Sequence, residues 1–342
     1  MTIEQIKDKL KSKEYDFLRT DKNLGNNIII LTLGGSHAYG TNNEGSDLDI
    51  RGCALNSKMQ ILTNENFEQF VNNETDTTIY AFNKLVALLS NTNPNTIEML
   101  GNKPEHYFYL SPIGQELIDN AHLFLSKRAC HSFGGYANQQ LYRLNQKAAH
   151  QMSQSELEKH ILKTLEFMQT DFTKKYTPYS DDSMKLYIDK AVQEGYDTEI
   201  FMDVNLTHYP LRDYCSMWNE LQNTVRQYGK IGKRNEKAIE HGKIAKHSMH
   251  LIRLYMMCLD ILEKERIITY REDEHDLLMD IRNGKYLDSN DQPITEFFEM
   301  VNDYEKRLDY AKKNTSLPDN PNYKAINEFV ASVNERVVKG EI

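Results

Sequence analysis

The sequence predicts an α/β domain, built on a small mixed sheet with flanking helices, followed by a mostly α-helical domain. Up to about residue 115, short β-branched runs alternate with turn residues and amphipathic segments. From about residue 116 onward, apolar residues recur mostly at helical spacing between short loops that contain proline or glycine. We therefore predict a first domain over residues 1–115 and a helical domain over 116–342, with a ligand-binding cleft closed between them.

The first strand and its turn carry the first functional signal. The apolar run from Ile28 to Leu33 predicts a buried strand. It ends at Gly34-Gly35, where the backbone can adopt positive φ and approach a ligand closely. Ser36 adds a hydroxyl beside exposed backbone N–H groups, and a helix beginning there would direct its N-terminal dipole at an anion. The segment predicts a phosphate-binding turn.

Two carboxylates follow on the next predicted strand. Residues 41–45 have turn composition, and the strand is predicted to start at Asp47. Side chains alternate along a strand, so Asp47 and Asp49 would share one face while Leu48 and Ile50 face the core. Such a pair can hold Mg²⁺, and a cation would relieve the repulsion between the two charges. The Gly-Ser turn and the Asp-x-Asp pair are each common alone. Their occurrence in this order, after a predicted strand, favours a functional site.

After the second and third predicted strands, the rest of the chain is predicted to be helical. Turn residues and changes of hydrophobic period mark the boundaries. The predicted helices are residues 82–89, 95–100, 114–125, 135–151, 155–172, 181–194, 211–226, 235–265, 271–283, 294–313 and 323–338.

Taken together, the turn and the Asp-x-Asp pair resemble the polymerase-β-like nucleotidyltransferase superfamily. The fuller strings, residues 34–41 and 46–52, are similar to the RlaP/YcgL group of bacteria and phages. Further similar blocks are residues 93–100, 133–141, 246–254 and 277–284. The resemblance implies a nucleotidyltransferase domain that, with Mg²⁺ or Mn²⁺, moves a nucleotide from ATP or another NTP onto a hydroxyl. An RNA 3′-hydroxyl in RNA repair, in a bacterial or phage-infected cytosol, is the implied setting.

The resemblance also implies roles for individual residues. Gly35 and Ser36 would hold the β- and γ-phosphates, and Asp47 and Asp49 would bind the metal ions with a third carboxylate. Asp76 is the favoured third ligand because it begins the β-branched run of the strand predicted over residues 74–80. Glu74 and Glu98 remain alternatives.

Further residues are candidates for binding the nucleotide. Arg51 shares the predicted face of Asp49 and could pair with phosphate. A basic stripe on one face of an otherwise apolar predicted helix suggests a cavity that holds phosphates, because burying unpaired charge is costly. The full set of nucleotide-binding candidates beyond Gly35 and Ser36 is His37, Tyr39, Ser46, Arg51, Lys243, Lys246, His250 and Arg253.

A second basic cluster could bind RNA. Its cations surround a tyrosine and two glycines, a composition that suits a phosphate backbone with one stacked base. The cluster consists of Arg226, Lys230, Lys233, Arg234 and Lys237. An ordinary exposed basic loop is the alternative, and these general cues favour it slightly.

Composition limits the class of protein. The net charge of −9 excludes a uniformly basic nucleic-acid binder. The N-terminal segment lacks the apolar core of a signal peptide, and the four scattered cysteines favour reduced thiols in a cytosol. Three functions stay open: an RNA-directed nucleotidyltransferase, an enzyme that transfers AMP to a protein or small-molecule hydroxyl, and a non-catalytic nucleotide sensor. Both Asp47 and Asp49 count against the sensor, which would need only the phosphate turn.

Overall fold

The structure, a computed structural model, describes residues 1–137, 154–192, 198–229, 243–289 and 293–342. The chain forms two compact units. The first contains residues 1–141, 245–286 and 294–342, and the second contains residues 142–244 and 287–293. This division differs from the predicted boundary near residue 115, because the helices after residue 245 pack against the N-terminal sheet and share its core.

The first unit is organised around a five-stranded sheet. Its order is β3-β4-β2-β1-β5. The central strand β2 runs parallel to its neighbour β4, and the other neighbouring pairs run antiparallel, so the sheet is mixed, as predicted. The strands are β1 Ile28–Leu33, β2 Ile50–Ala54, β3 Gln69–Asn72, β4 Thr77–Ala81 and β5 Tyr107–Leu110.

Two strands start later than predicted. The residues from Asp47 to Asp49 precede β2 instead of belonging to it, and Glu74 and Asp76 lie in the turn before β4. The predicted alternation of exposed carboxylates and buried apolar side chains is still present. Asp47 is exposed, Leu48 is buried and Asp49 is half-buried. The carboxylates therefore lie just before the parallel strands β2 and β4 begin.

Helices cover both faces of this sheet. The short N-terminal helices bury residues such as Ile6 and Leu18 against one face. The other face packs on a larger core at whose centre lies α11, which is buried nearly all round from Leu251 to Leu262. The helices of this unit are α1 Ile3–Leu10, α2 Phe17–Thr20, α3 Gly35–Tyr39, α4 Lys58–Leu62, α5 Phe82–Ser90, α6 Pro94–Ile97, α7 Pro112–Asp119, α8 over residues 128–137, α11 Lys243–Lys264, α12 His275–Arg282, α13 Thr295–Asn314 and α14 Tyr323–Lys339.

Among its described residues, the second unit contains two α-helices and a two-stranded sheet. Helices α9 Gln154–Lys175 and α10 Leu211–Gly229 follow the prediction closely. The helix predicted over residues 181–194 is wrong: strands β6 Met184–Lys190 and β7 Thr198–Val204 pair antiparallel instead. The physical reason is the two-residue period of Met184, Leu186 and Ile188, which places alternate side chains on one face of a strand. Met184 and Leu186 pack with the apolar side chains of α9.

Part of the predicted basic surface lies outside the described residues. Arg226 belongs to α10, and Lys230, Lys233, Arg234 and Lys237 fall in the segment that the structure does not describe. The helix predicted from residue 235 is described from Lys243. The four cysteines are free thiols. Within the described ranges, no helix is both long and apolar enough to cross a membrane.

Candidate active site

The glycine turn after β1 makes direct contact with the second carboxylate. The Gly34 N–H donates a 2.9 Å hydrogen bond to the Asp49 carbonyl, which joins the turn to the start of β2. Gly35 has a φ of +56°, and a Cβ at this position would overlap the Asp49 carboxylate oxygen Oδ2. Glycine is therefore required at residue 35 both by its backbone conformation and by the close approach of Asp49.

Asp49 is half-buried beside an arginine. Its Oδ1 forms a 3.0 Å ion pair with Nη2 of Arg51. Burial raises the pKa of the Asp49 carboxyl, the positive charge of Arg51 opposes this shift, and the charge of Asp76 adds to it. Lys246 of α11 also acts on this carboxyl and favours its ionised form. Asp49 thus lies among charges that come from three separate segments.

Arg51 connects the start of β2 to the turn before β4. Its Nη1 donates to the Asp76 carbonyl at 2.7 Å and to the Ile50 carbonyl at 3.1 Å, while Nη2 holds Asp49. The Ile50 N–H also donates to the Asp76 carbonyl, at 3.2 Å. Asp76 has a φ of +45°, an uncommon conformation for a residue with a side chain. These contacts place Asp76 beside Asp49.

The other acidic candidates occupy different surroundings. Asp47 is exposed immediately before Asp49. Glu74 is exposed in the turn, where its N–H donates to Asn72 Oδ1 at 2.9 Å. Glu98 is only 7% exposed and follows α6, and burial raises the pKa of its carboxyl well above the ordinary value. Among the three alternatives for the third ligand, Asp76 is the one whose charge acts on Asp49.

The oxygen donors suit Mg²⁺ in kind, although the carboxylates do not converge. Among the residues that the structure describes, no group of three or more His, Cys, Asp or Glu side chains lies close enough to hold a metal ion. At Asp49, the guanidinium of Arg51 supplies the neutralising charge. Carboxylate oxygens are the ligands that Mg²⁺ prefers, so Asp47, Asp49 and Asp76 fit this ion in donor chemistry.

The predicted basic stripe runs from the surface into the core. Lys246 is exposed, His250 is half-buried and Arg253 is 5% exposed. The Arg253 guanidinium carbon lies 3.4 Å from the centroid of the Tyr39 ring, a cation–π contact. Burial, with a smaller contribution from Arg271, lowers the pKa of Arg253 to about 9. Lys243 is the first residue of α11.

A segment after α11 supports the far end of the phosphate turn. The Arg271 N–H donates to the Tyr39 carbonyl at 3.1 Å, and the Tyr270 ring contacts Gly40, which has a φ of +74°. Arg271 is itself buried and paired with Asp260. Sequence reasoning did not identify this support, because the segment lies more than 200 residues from the turn and has no motif of its own.

Arg282 is a further cation that sequence reasoning missed. Its Nη2 donates to Oγ of Ser46 at 3.0 Å, directly before Asp47. Its charge also acts on His37, whose pKa is lowered mainly by burial, which favours the neutral ring. The sole sequence signal was that Arg282 falls in one of the blocks similar to the RlaP/YcgL group.

Glu98 gives a testable pH dependence. A carboxyl whose pKa is raised by folding contributes stability below its unfolded pKa, near 4.5, and this stability is lost as the pH rises through the folded pKa. We expect Glu98→Gln to unfold at a temperature a few degrees above wild type at about pH 9, and close to wild type at about pH 5. Thermal unfolding at both pH values checks this; a difference that does not grow with pH would contradict it.

A comparison with known protein families identifies a match. A protein-family model described as "RlaP: RNA repair pathway DNA polymerase beta family" matches residues 6–332. Neither a curated protein nor a solved structure matches the chain.

Proposed function

Because the chain belongs to the RlaP family of RNA repair pathway DNA polymerase β proteins, we propose that it is a metal-dependent nucleotidyltransferase that acts on RNA. It would move an NMP from ATP or another NTP onto a hydroxyl, most directly an RNA 3′-hydroxyl. The observation that carries this proposal is the contact between the Gly34-Gly35 turn and Asp49, with Asp76 alongside. This contact would bring a phosphate-binding backbone against the candidate metal ligands.

The turn and the basic residues would bind the triphosphate. Backbone N–H groups at Gly35 and the hydroxyl of Ser36 would hold its β- and γ-phosphates. Lys246, whose charge already acts on Asp49, would neutralise phosphate charge at the same position. His37, whose lowered pKa favours the neutral ring, would orient the substrate through a hydrogen bond, with the tautomer set by its partners.

The carboxylates would hold the metal. Asp47, Asp49 and Asp76 would be the ligands, and bound Mg²⁺ would neutralise the triphosphate and lower the pKa of the attacking hydroxyl. Arg51 pairs with Oδ1 of Asp49. A carboxylate has two oxygens, so Oδ2 of Asp49 would remain to bind the metal. The acceptor oxygen forms a bond to the α-phosphorus as the bond to the pyrophosphate leaving group breaks.

One alternative acceptor has a specific observation in its favour. The net charge of −9 disfavours broad electrostatic attraction to RNA. It opposes the binding of a protein or small-molecule acceptor less. RNA binding through phosphate contacts would depend steeply on salt, so the two acceptor classes differ in a measurable way. The proposed RNA contacts are Arg226, Lys230, Lys233, Arg234 and Lys237.

Pyrophosphate release tests this function. Each NTP is incubated with Mg²⁺ and the protein, with and without RNA that carries a 3′-hydroxyl, beside the Asp47→Ala/Asp49→Ala double variant. We expect release that depends on RNA and is lost in the double variant. Release without RNA would favour the protein or small-molecule acceptor. Absence of release under every condition would leave the nucleotide sensor as the better interpretation.

A further inference from the structure

The turn before Asp47 is closed by one hydroxyl. Oγ of Ser46 accepts a 2.9 Å hydrogen bond from the Asn43 N–H and donates a 2.9 Å hydrogen bond to Oδ1 of Asn43. The Ser46 N–H donates to the Asn43 carbonyl at 3.1 Å. The same Oγ accepts a third contact, at 3.0 Å, from Nη2 of Arg282 at the end of α12.

These contacts use the full capacity of the Ser46 hydroxyl. A serine hydroxyl has one proton to donate and two lone pairs to accept. Asn43 takes the proton and one lone pair, and Arg282 takes the other. Ser46 therefore has no remaining hydrogen bond to offer a phosphate while this arrangement persists. Its position favours a structural link over the direct nucleotide contact predicted from the sequence.

Arg282 is placed to hold this turn. It is half-buried, and burial lowers the pKa of its guanidinium. Among the described residues, Nη1 is buried without a hydrogen-bond partner, and the side chain donates its hydrogen bond to the Ser46 hydroxyl. Arg282 and Ser46 are 236 residues apart, so the contact ties a helix late in the chain to the loop that carries the first carboxylate.

We infer that Arg282 is a positioning residue for Asp47, acting through the Ser46 hydroxyl on the Asn43–Ser46 turn. The inference rests on the proposed function, in which Asp47 holds a metal ion. Asp47 is exposed and follows the turn directly, so the turn limits where its carboxylate can lie. Residues that orient metal ligands commonly affect metal affinity about 10- to 100-fold when removed.

The test uses the full chain and two readouts that do not require turnover, with ATP binding in EDTA as a further measurement. Arg282→Met and Ser46→Ala each remove one side of the contact, and Arg307→Met, an arginine of α13 paired with Glu263, is the matched control. Mn²⁺ binding to the resting protein is measured by electron paramagnetic resonance. Hydrogen exchange at residues 43–48 is measured without metal or nucleotide, and thermal unfolding confirms that each variant is folded.

We expect Arg282→Met and Ser46→Ala each to weaken Mn²⁺ binding about tenfold and to accelerate exchange at residues 43–48. The double variant should be no weaker than either single variant, because both changes break the same link. Arg307→Met should match wild type in both readouts.

Two results would overturn the inference. One is unchanged exchange and unchanged Mn²⁺ affinity in Arg282→Met. The other is weaker binding of ATP in EDTA with unchanged exchange, which would make Arg282 a phosphate ligand. Exchange is read without metal, so it decides whether Arg282 holds the turn even if wild type binds no Mn²⁺. Absence of Mn²⁺ binding in wild type would count against the proposed metal site, and not against the role of Arg282 in holding the turn.

Discussion

Asp49→Asn is expected to lower nucleotidyl transfer by about 10³-fold or more while leaving the protein folded. Loss of a metal ligand removes several kcal/mol of charge stabilisation in the transition state, and each 1.4 kcal/mol or so is about a factor of ten in rate. The pKa of Asp49 is raised mainly by burial, so its charge is disfavoured in the folded protein. A neutral amide should leave the unfolding temperature unchanged or raise it. Pyrophosphate release and thermal unfolding measure the two effects.

Amide substitutions at the other acidic candidates test which of them is the third metal ligand. Asp47→Asn and Asp76→Asn should show losses of similar size. Glu74→Gln should retain activity because Asp76, and not Glu74, is the neighbour whose charge acts on Asp49. Glu98→Gln should also remain active, since the Glu98 carboxyl is buried and its charge is strongly disfavoured there. Near-normal activity in Asp76→Asn, with a loss in Glu74→Gln or Glu98→Gln, would move the third ligand to that residue.

Gly35→Ala is expected to abolish transfer and to destabilise the first unit. Residue 35 has a φ of +56°, and its new Cβ would overlap the carboxylate of Asp49. A non-glycine residue in this left-handed conformation costs roughly 1–2 kcal/mol before any displacement of Asp49 is counted. Either the turn or the carboxylate must move, and both are parts of the proposed site. Activity and the free energy of unfolding should therefore fall together.

Two glycines serve as controls for this substitution. Gly134 lies in α8, and a methyl group added there would meet no neighbouring side chain or segment within 4 Å. Gly134→Ala should therefore stabilise the helix by about 0.5–1 kcal/mol and leave transfer unchanged. At Gly34 the Cβ would lie 2.7 Å from Cγ of Arg51, but the φ of −122° suits any residue. Gly34→Ala therefore lacks the conformational cost and should be milder than Gly35→Ala. Equal activity in Gly35→Ala and Gly134→Ala would contradict a role for the close approach to Asp49.

Local sequence patterns predicted the parts of the fold that depend on nearby residues. The run from Ile28 to Leu33 formed the predicted strand, and most long helices lie within a few residues of their predicted bounds. Apolar periodicity succeeds in these segments because each presents one continuous face to a core. It failed over residues 181–194, where Met184, Leu186 and Ile188 alternate as in a strand. There the pairing with β7, which follows in the chain, determined the structure.

The candidate site likewise combines features set by local sequence with contacts set by the tertiary structure. The sequence by itself determined the glycine turn and the order of Asp47 and Asp49, because these depend on residues that are close in the chain. Only the tertiary structure decided that Asp76 lies beside Asp49, through the parallel pairing of β2 with β4. It also decided that Arg253 lies under Tyr39 and that Arg282 reaches Ser46. Contacts between residues so far apart in the chain depend on how helices pack on the sheet, and no local pattern encodes that packing.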